Sequence, residues 1–374
     1  MRISKWGIAV TAVVVVAITA SRATERPDVQ ASSTPTKKAV SLEERAATLS
    51  RAAVWQKPAV EIEKANLGPA LDQPDSIACK FILDAPNGTA PKFDCTLDSG
   101  ERIRVKYGRT PEIPSEIAAS RLLHALGFGS DTVTLYEHVR CFGCPKDPFI
   151  TMKAVDFTGA EGLYSKLVNY DTFEDFEWAL VERKHPARAI EAGKLEGWAF
   201  HELDQIDEAK GGAPRAHIDA LRLLAVFIAH WDNKSENQRL VCLSQQDWPE
   251  GGRCEKPFGM LQDVGGAFGP RKVDLSGWQA APIWGNRETC VATMASLPYK
   301  GATFNPVPIT EAGRRHLASL LEPLTDNQIE DLFAGARFDK KKSFMTAPAK
   351  PVSEWVRVFK SRVRQITEGA PCPQ

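Results

Sequence analysis

The feature that most constrains the fold is an apolar segment that leads directly into a short run of polar residues. Residues 218–228 are apolar on nearly all sides, a pattern typical of a helix buried in a core rather than one lying on a surface. Residues 230–237 follow at once and read His-Trp-Asp-Asn-Lys-Ser-Glu-Asn. The chain must therefore bury a helix completely and present polar side chains from its end.

The segments on either side of this helix differ in character. Before it, short strand-like stretches surround one helix-like stretch at 115–126, which Gly127 and Gly129 end. The expected strands are 78–83, 92–97, 102–107, 132–140 and 178–182. After it, a pair of strand-like stretches ends at Asp263-Val-Gly265, and two helices follow, one opening with a capping box at Thr325 and one over residues 354–366. The sequence therefore predicts an α+β fold with a small sheet-rich part and a larger helical part.

Composition removes two classes of function. The chain has 47 basic residues (lysine and arginine) and 47 acidic residues (aspartate and glutamate). It therefore lacks the basic character of a dedicated nucleic-acid binder, and we expect no nucleic-acid partner. Hydrophobic residues make up 43% and charged residues 25%, values typical of a soluble globular protein rather than a disordered or multi-span membrane protein.

The first residues have the pattern of an export signal. A basic start precedes an apolar run at 6–20 and a small-x-small site at 21–23, which predicts a signal peptide over 1–23. The run is shorter than the roughly 20 residues that a spanning helix needs, so we expect no stable membrane span after cleavage. An uncleaved N-terminal anchor is the alternative. Either way the rest of the chain lies outside the cytoplasm, with a flexible tether over 24–54 and a packed domain from about residue 55.

Eight cysteines in an exported chain indicate disulfides. Cys79 and Cys95 fall on the arms of a hairpin that turns at Asn87-Gly88, and Cys242 and Cys254 flank a second loop, so we expect both pairs to be bridged. Cys141 and Cys144 are ambiguous, because they suit a bridge, a redox pair or, with His138, a zinc site. No second ligand pair has metal-like spacing. If Cys141 bonds Cys144, then Cys290 and Cys372 pair by elimination.

The polar residues after the buried helix suit phosphoryl transfer. That reaction needs Mg²⁺ held by oxygen ligands, a cation for the phosphates and a group that orients the acceptor hydroxyl. Asp232 and Asn237 are five residues apart on one loop, and Asp263 stands at the end of a neighbouring hairpin. Their carboxylate and amide oxygens are ligands of the kind that Mg²⁺ prefers.

These motifs resemble those of the protein-kinase-like superfamily. Residues 230–237 are similar to the catalytic loop His-Arg-Asp-Leu-Lys-Pro-Glu-Asn at five of eight positions, and Asp263-Val-Gly265 resembles the Asp-Phe-Gly element. Val105-Lys106 resembles the end of the Val-Ala-Ile-Lys strand, and Glu116 resembles the ion-pair partner of its lysine. The resemblance is to atypical members: phosphatidylinositol-kinase-like, HipA-like or secretory-pathway kinases. It implies a two-lobed fold with a small antiparallel-sheet N-lobe over 55–185 and a larger helical C-lobe over 186–374.

The resemblance also implies roles for single residues. Lys106 holds the α and β phosphates of ATP and Glu116 positions it; Asp232 accepts the acceptor's proton; Lys234 contacts the γ phosphate; Asn237 and Asp263 bind Mg²⁺. His230 is expected to hold the loop by hydrogen bonds. Glu112, four residues before Glu116, is a rival partner for Lys106.

Some family features are missing. The chain has no Gly-x-Gly-x-x-Gly loop, and residues 87–91, with one glycine, occupy its place. No Ala-Pro-Glu element follows Asp263. The chemistry expected is ATP- and Mg²⁺-dependent transfer of phosphate to an acceptor, whether protein, lipid or small molecule, that the sequence does not specify. A non-catalytic kinase-like binding module and a transferase of AMP are the alternatives.

Overall fold

The computed structural model describes residues 39–70, 72–244, 253–297, 301–340 and 348–373. The predicted signal peptide over 1–23, the first part of the tether and the middle of the second cysteine loop lie outside them. Within the described ranges, no helix combines the length and the apolar character needed to cross a bilayer.

The small lobe is a closed barrel of five strands in the order β1-β2-β3-β5-β4. Neighbouring strands are antiparallel except β1 and β4, which pair in parallel with Cys79 opposite Cys141. Parallel pairing requires a long crossover, and here β2, β3 and helix α2 provide it. The strands and helices are β1 (Ser76–Phe81), β2 (Lys92–Thr96), β3 (Arg102–Lys106), α2 (Glu112–Ala125), β4 (Thr132–Phe142), α3 (Pro148–Thr158), α4 (Glu161–Tyr164) and β5 (Phe173–Arg183).

Aromatic side chains fill the barrel. The rings of Phe93, Tyr107 and Phe176 lie 4.9 to 5.7 Å apart between centroids. Helix α2 lies outside this interior: its Ile117, Leu122 and Leu123 are fully buried in the core of the larger lobe. Helix α2 therefore joins the barrel to the helical lobe. The sequence did not predict α3 and α4, which the chain inserts between β4 and β5.

The large lobe is mainly helical and forms around α5, the buried helix that the sequence predicts. Its residues Leu223, Leu224 and Phe227 have no exposed surface. Two small sheets, β6-β7-β8 and β9-β10-β11, flank it. The elements are β6 (Arg188–Ala189), α5 (Arg215–Phe227), β7 (Gln238–Cys242), β8 (Pro257–Leu261), α6 (Leu275–Ala280), β9 (Trp284–Asn286), β10 (Val291–Ala292), β11 (Val307–Pro308), α7 (Glu311–Leu321), α8 (Asp326–Gly335) and α9 (Val352–Thr367).

The α+β fold, with a small sheet-rich lobe and a larger helical lobe, is thus confirmed. The small lobe differs from the prediction in that it closes on itself through the parallel β1–β4 pair.

Four disulfides join all eight cysteines: the two expected pairings are confirmed, and of the alternatives left open for Cys141 and Cys144 the bridge is the one observed. They are Cys79–Cys95, Cys141–Cys144, Cys242–Cys254 and Cys290–Cys372, with Cα atoms 5.5 to 5.7 Å apart. Because Cys141 and Cys144 bond to one another, they are not zinc ligands. Disulfides in this number indicate an oxidising compartment.

The segment before the barrel is packed, in contrast to the tether expected there. Helix α1 (Leu42–Leu49) is capped by Ser41, whose hydroxyl accepts a hydrogen bond from the Glu44 amide. Arg45 is buried and bonds both carboxylate oxygens of Glu202, at 2.8 and 2.9 Å. The tether prediction is therefore wrong from residue 42 onward. The segment carries few large apolar residues, and a helix of this length is stable only through tertiary contacts that the sequence does not reveal.

Candidate functional site

Lys106 ends strand β3 and lies among four carboxylates, with 2% of its side chain exposed. Its Nζ is 2.6 Å from Glu116 Oε2, 3.5 Å from Glu112 Oε1, 3.7 Å from Asp263 Oδ1 and 3.9 Å from Glu182 Oε2. Burial acts to lower the pKa of Lys106, but these carboxylates, Asp263 and Glu116 foremost, hold it well above its usual value. Lys106 is therefore a fixed positive charge.

Helix α2 supplies both glutamates that compete for Lys106. Glu116 is the closer partner, and Glu112 instead bridges Lys106 and Lys272. The Ser115 hydroxyl holds the start of α2 in place: it donates to the carbonyl of Ala267 at 3.1 Å and accepts from the Ala267 amide at 3.2 Å. The helix is thus fastened to the chain just beyond Asp263, with Glu116 directed at Lys106.

Asp263 follows strand β8, and its backbone is tied to Asn237. The amide of Asp263 donates to the Asn237 carbonyl at 3.1 Å, and the amide of Gly265 donates to Asp263 Oδ1 at 3.2 Å. Burial acts to raise the pKa of Asp263, but the charges of Lys106 and Lys92 hold it well below its ordinary value. Asp263 is therefore ionised beside Lys106 and keeps about a third of its side chain exposed.

The two glycines after Asp263 leave room for the acidic side chains. A Cβ on Gly265 would lie 2.5 Å from Glu112 Cγ, and one on Gly266 would lie 2.7 Å from Asp232 Cβ. Real Cβ atoms do not approach so closely, so any larger residue would push these side chains aside. The second glycine thus sets the place of Asp232, a role that the motif alone does not reveal.

Residues 232–237 line the site from the large lobe. Asp232 Oδ1 is buried and has no hydrogen-bond partner within the described part of the chain, and burial raises the pKa of the carboxyl. The side-chain amide of Asn237 donates to the Asp232 carbonyl at 2.6 Å. Lys234 is about a third exposed, with Nζ 3.5 Å from Glu236 Oε1. Asp232 and Asn237 are thus fixed to one another next to Asp263.

Asn233, which the sequence reasoning passed over, organises this loop. Its Oδ1 accepts from the amides of Thr303 and Phe304 at 2.8 and 2.9 Å, and its Nδ2 donates to the His230 carbonyl at 2.9 Å. A fully buried asparagine must satisfy both ends of its amide, and here it does so by joining the loop to residues 70 positions away. Only the tertiary structure identifies such a residue.

His230 lies at the start of the loop and is fully buried. Its ring packs near Phe200, and the side chain of Gln238 is its hydrogen-bonding neighbour. Burial lowers the pKa of His230 to about 4, so the imidazole is neutral. It supports the loop mainly by packing, and Asn233 adds the hydrogen bonds that join the loop to residues 303 and 304.

Two sets of oxygen atoms are candidates for a metal ion. Ligand atoms of Glu112, Glu116 and Asp263 lie within 4.8 Å of one another, but the Lys106 ammonium already contacts all three. In the predicted pair, Asn237 carries no charge for Lys106 to pair with, and Asp263, which does contact Lys106, keeps about a third of its side chain exposed. The partnerless oxygen of Asp232 adds an acceptor nearby. The donors are all oxygens, as Mg²⁺ requires, and these residues fit the ion.

Comparison with known proteins gives little beyond this geometry. No model of a protein family matches the chain, and no curated protein matches it. Among solved structures, the chain is similar to the Helicobacter pylori proinflammatory kinase CtkA, with a TM-score of 0.40 and 11% identity over 77% of this chain and 92% of that one. A similarity of this strength carries no argument about function.

Proposed function

We propose that the protein is an ATP- and Mg²⁺-dependent phosphotransferase of the kinase-like superfamily that works outside the cytoplasm. One observation carries the proposal: Lys106, Glu116 and Asp263, up to 157 positions apart in the chain, meet where the barrel adjoins the helical lobe. A buried charge cluster is costly to maintain and is a feature of functional sites.

Each residue has a role in this proposal. Lys106 binds the α and β phosphates of ATP, and Glu116 keeps its ammonium in position. Asn237 and Asp263 hold Mg²⁺, which neutralises charge on the phosphate oxygens when it is bound. Lys234 contacts the γ phosphate.

Asp232 is the base in this proposal. Its carboxyl stands beside Gly266, and because the residue is only half-buried, an acceptor hydroxyl can approach it. Burial raises its pKa, and a carboxylate of higher pKa accepts a proton more readily. The acceptor is a hydroxyl-bearing molecule, because a general base of this kind acts on an O–H group.

Export is part of the same proposal. The first 23 residues have the pattern of a signal peptide, and four disulfides suit an oxidising compartment. The N-terminus of protein recovered from the producing cells tests this: cleavage near residue 24 supports export, and an intact Met1 on membrane-bound protein supports the anchor.

Nucleotide binding and turnover test the chemistry. We expect the purified protein to bind ATP only with Mg²⁺, Asp263→Asn to lose that binding, and Asp232→Asn to keep it while losing turnover. Wild-type protein incubated with ATP labelled in either the α or the γ phosphate distinguishes the alternatives. Release of ADP supports phosphoryl transfer, release of pyrophosphate indicates AMP transfer, and binding without either product indicates a binding module. Asp263→Asn protein with undiminished Mg²⁺-dependent binding would falsify the site.

A further inference from the structure

A second lysine faces the same site from the barrel. Lys92 opens strand β2, and the strand register places it directly opposite Lys106 on β3. Residues directly opposite in an antiparallel pair send their side chains to the same face of the sheet. Lys92 and Lys106 therefore leave the sheet as neighbours, on the side where Asp263 lies.

The ammonium of Lys92 lies under the turn between β1 and β2. Its Nζ is 3.2 Å from where a Cβ on Gly88 would stand, and Gly88 itself adopts a left-handed φ of +81°. A side chain at position 88 would strain the backbone and crowd the lysine. This turn occupies the place where a kinase would carry its glycine-rich loop.

The surroundings of Lys92 differ from those of Lys106. Lys106 contacts four carboxylates, whereas Lys92 has no carboxylate within 4 Å in the described ranges. Burial and the charge of Lys106 lower the pKa of Lys92, while Asp263 and Glu112 act in the opposite direction. Lys92 is thus a partly buried cation inside the field of the site that lacks a close counter-ion.

We propose that Lys92 binds the polyphosphate chain of the nucleotide beneath the β1–β2 turn, in place of the backbone amides of a glycine-rich loop. This inference rests on the proposed function and deepens it. The carboxylates around Lys106 compete with phosphate for its ammonium. Lys92, which has no carboxylate within 4 Å among the residues that the structure describes, supplies the positive charge that they offset. Lys92 therefore makes the site selective for nucleoside di- and triphosphates over monophosphates and nucleosides.

The test compares nucleotide affinities among variants of the full chain. Titrations with ATP, ADP, AMP and adenosine in the presence of Mg²⁺ give four dissociation constants for each protein. We expect Lys92→Met to weaken ATP and ADP binding about 10- to 100-fold, the range for a charge-assisted hydrogen bond, and to leave adenosine binding nearly unchanged. Lys92→Arg should keep most of the affinity for ATP.

Lys80→Met is the matched control. Lys80 stands on the adjacent strand β1, is 66% exposed and lies 4.0 Å from Asp98, so its loss removes the same charge from the barrel but not from the site. We expect Lys80→Met to bind ATP as the wild type does. Because Lys92 makes no close ion pair among the described residues, its replacement should leave the midpoint of thermal unfolding almost unchanged. An unchanged midpoint also shows that the variant is folded.

Other outcomes separate the two proposals. If the wild type and the Lys92→Met variant bind ATP equally well, the proposed role of Lys92 is overturned, but the proposed function is not. A variant that loses ATP and adenosine to the same extent also overturns it, because such a loss indicates a structural role. Wild-type protein that binds no nucleotide overturns the proposed function, and the role of Lys92 with it.

Discussion

Single residues in this site show how burial controls charge. Lys106 and His230 are both fully buried bases, yet burial leaves one charged and the other neutral. Their neighbours differ. Four carboxylates surround Lys106 and raise its pKa, whereas the charge of Asp263 raises the pKa of His230 too little to offset the effect of burial. Burial without a close anion lowers the pKa of a basic side chain, so the group is neutral rather than charged.

His230 should therefore make the protein sensitive to acid. In the unfolded chain a histidine takes up its proton near pH 6.5, whereas the folded state resists protonation until about pH 4. The stability that neutral His230 contributes is present above pH 6.5 and is lost as the pH falls towards 4. Over this pH range, we expect the free energy of unfolding of the wild type to fall by up to about 3 kcal/mol relative to that of His230→Phe.

Urea unfolding of both proteins at pH 7.5, 6, 5 and 4 measures this difference. The phenylalanine ring preserves the packing near Phe200 and cannot titrate. Stability curves that stay parallel at every pH would show that His230 is protonated equally in both states, contrary to our expectation.

At the scale of secondary structure, the sequence predicted local elements well and long-range closure poorly. The strand-like runs at 92–97 and 102–107 match β2 and β3 within a residue of their observed bounds, and the all-apolar run located α5. The parallel β1–β4 pairing that closes the barrel, and the packing of α1, depend on contacts between distant segments that periodicity does not encode. In the site, the resemblance to kinase motifs predicted Lys106, Glu116 and Asp263 as neighbours, and the structure brings them together. It did not point to Lys92 or Asn233, whose places depend on tertiary contacts.

The disulfides differ in how much of the chain they constrain. The bridge between Cys290 and Cys372 spans 82 positions, whereas that between Cys141 and Cys144 spans three. In the chain-entropy model, the longer loop restricts the unfolded state by roughly 4–5 kcal/mol and the shorter by about 2 kcal/mol. We therefore expect the Cys290→Ser, Cys372→Ser double variant to unfold at markedly lower urea concentration than the Cys141→Ser, Cys144→Ser variant. Equal midpoints would contradict this order.

For the whole molecule, the segment before the barrel is part of the large lobe. Ala53 forms a β-bridge with Phe258, and Arg45 bonds Glu202 and the Gly197 carbonyl. Leu49 and Val54 are buried in the main core. The residues of the barrel therefore lie, in sequence, between two segments that pack into one helical core.

Arg45 tests this arrangement directly. Replacing it with methionine leaves the largely buried Glu202 without its partner, and we expect a loss of roughly 3–5 kcal/mol in the free energy of unfolding. Arg364→Met on the exposed side of α9 is the control, and it should change stability by less than about 0.5 kcal/mol. If residues 42–54 were only a tether, the two variants would behave alike.

The packing of this first segment also sets an order of events during synthesis. Leu49, Ala52 and Val54 leave the ribosome early, but the chain that covers them, up to Phe258, is made about 200 residues later. At roughly 5–20 residues per second, that interval is about 10–40 s. The five strands of the barrel all lie within residues 76–183 and are made within that interval. Residues 42–54 therefore remain without the partners that bury them until the helical lobe has been made.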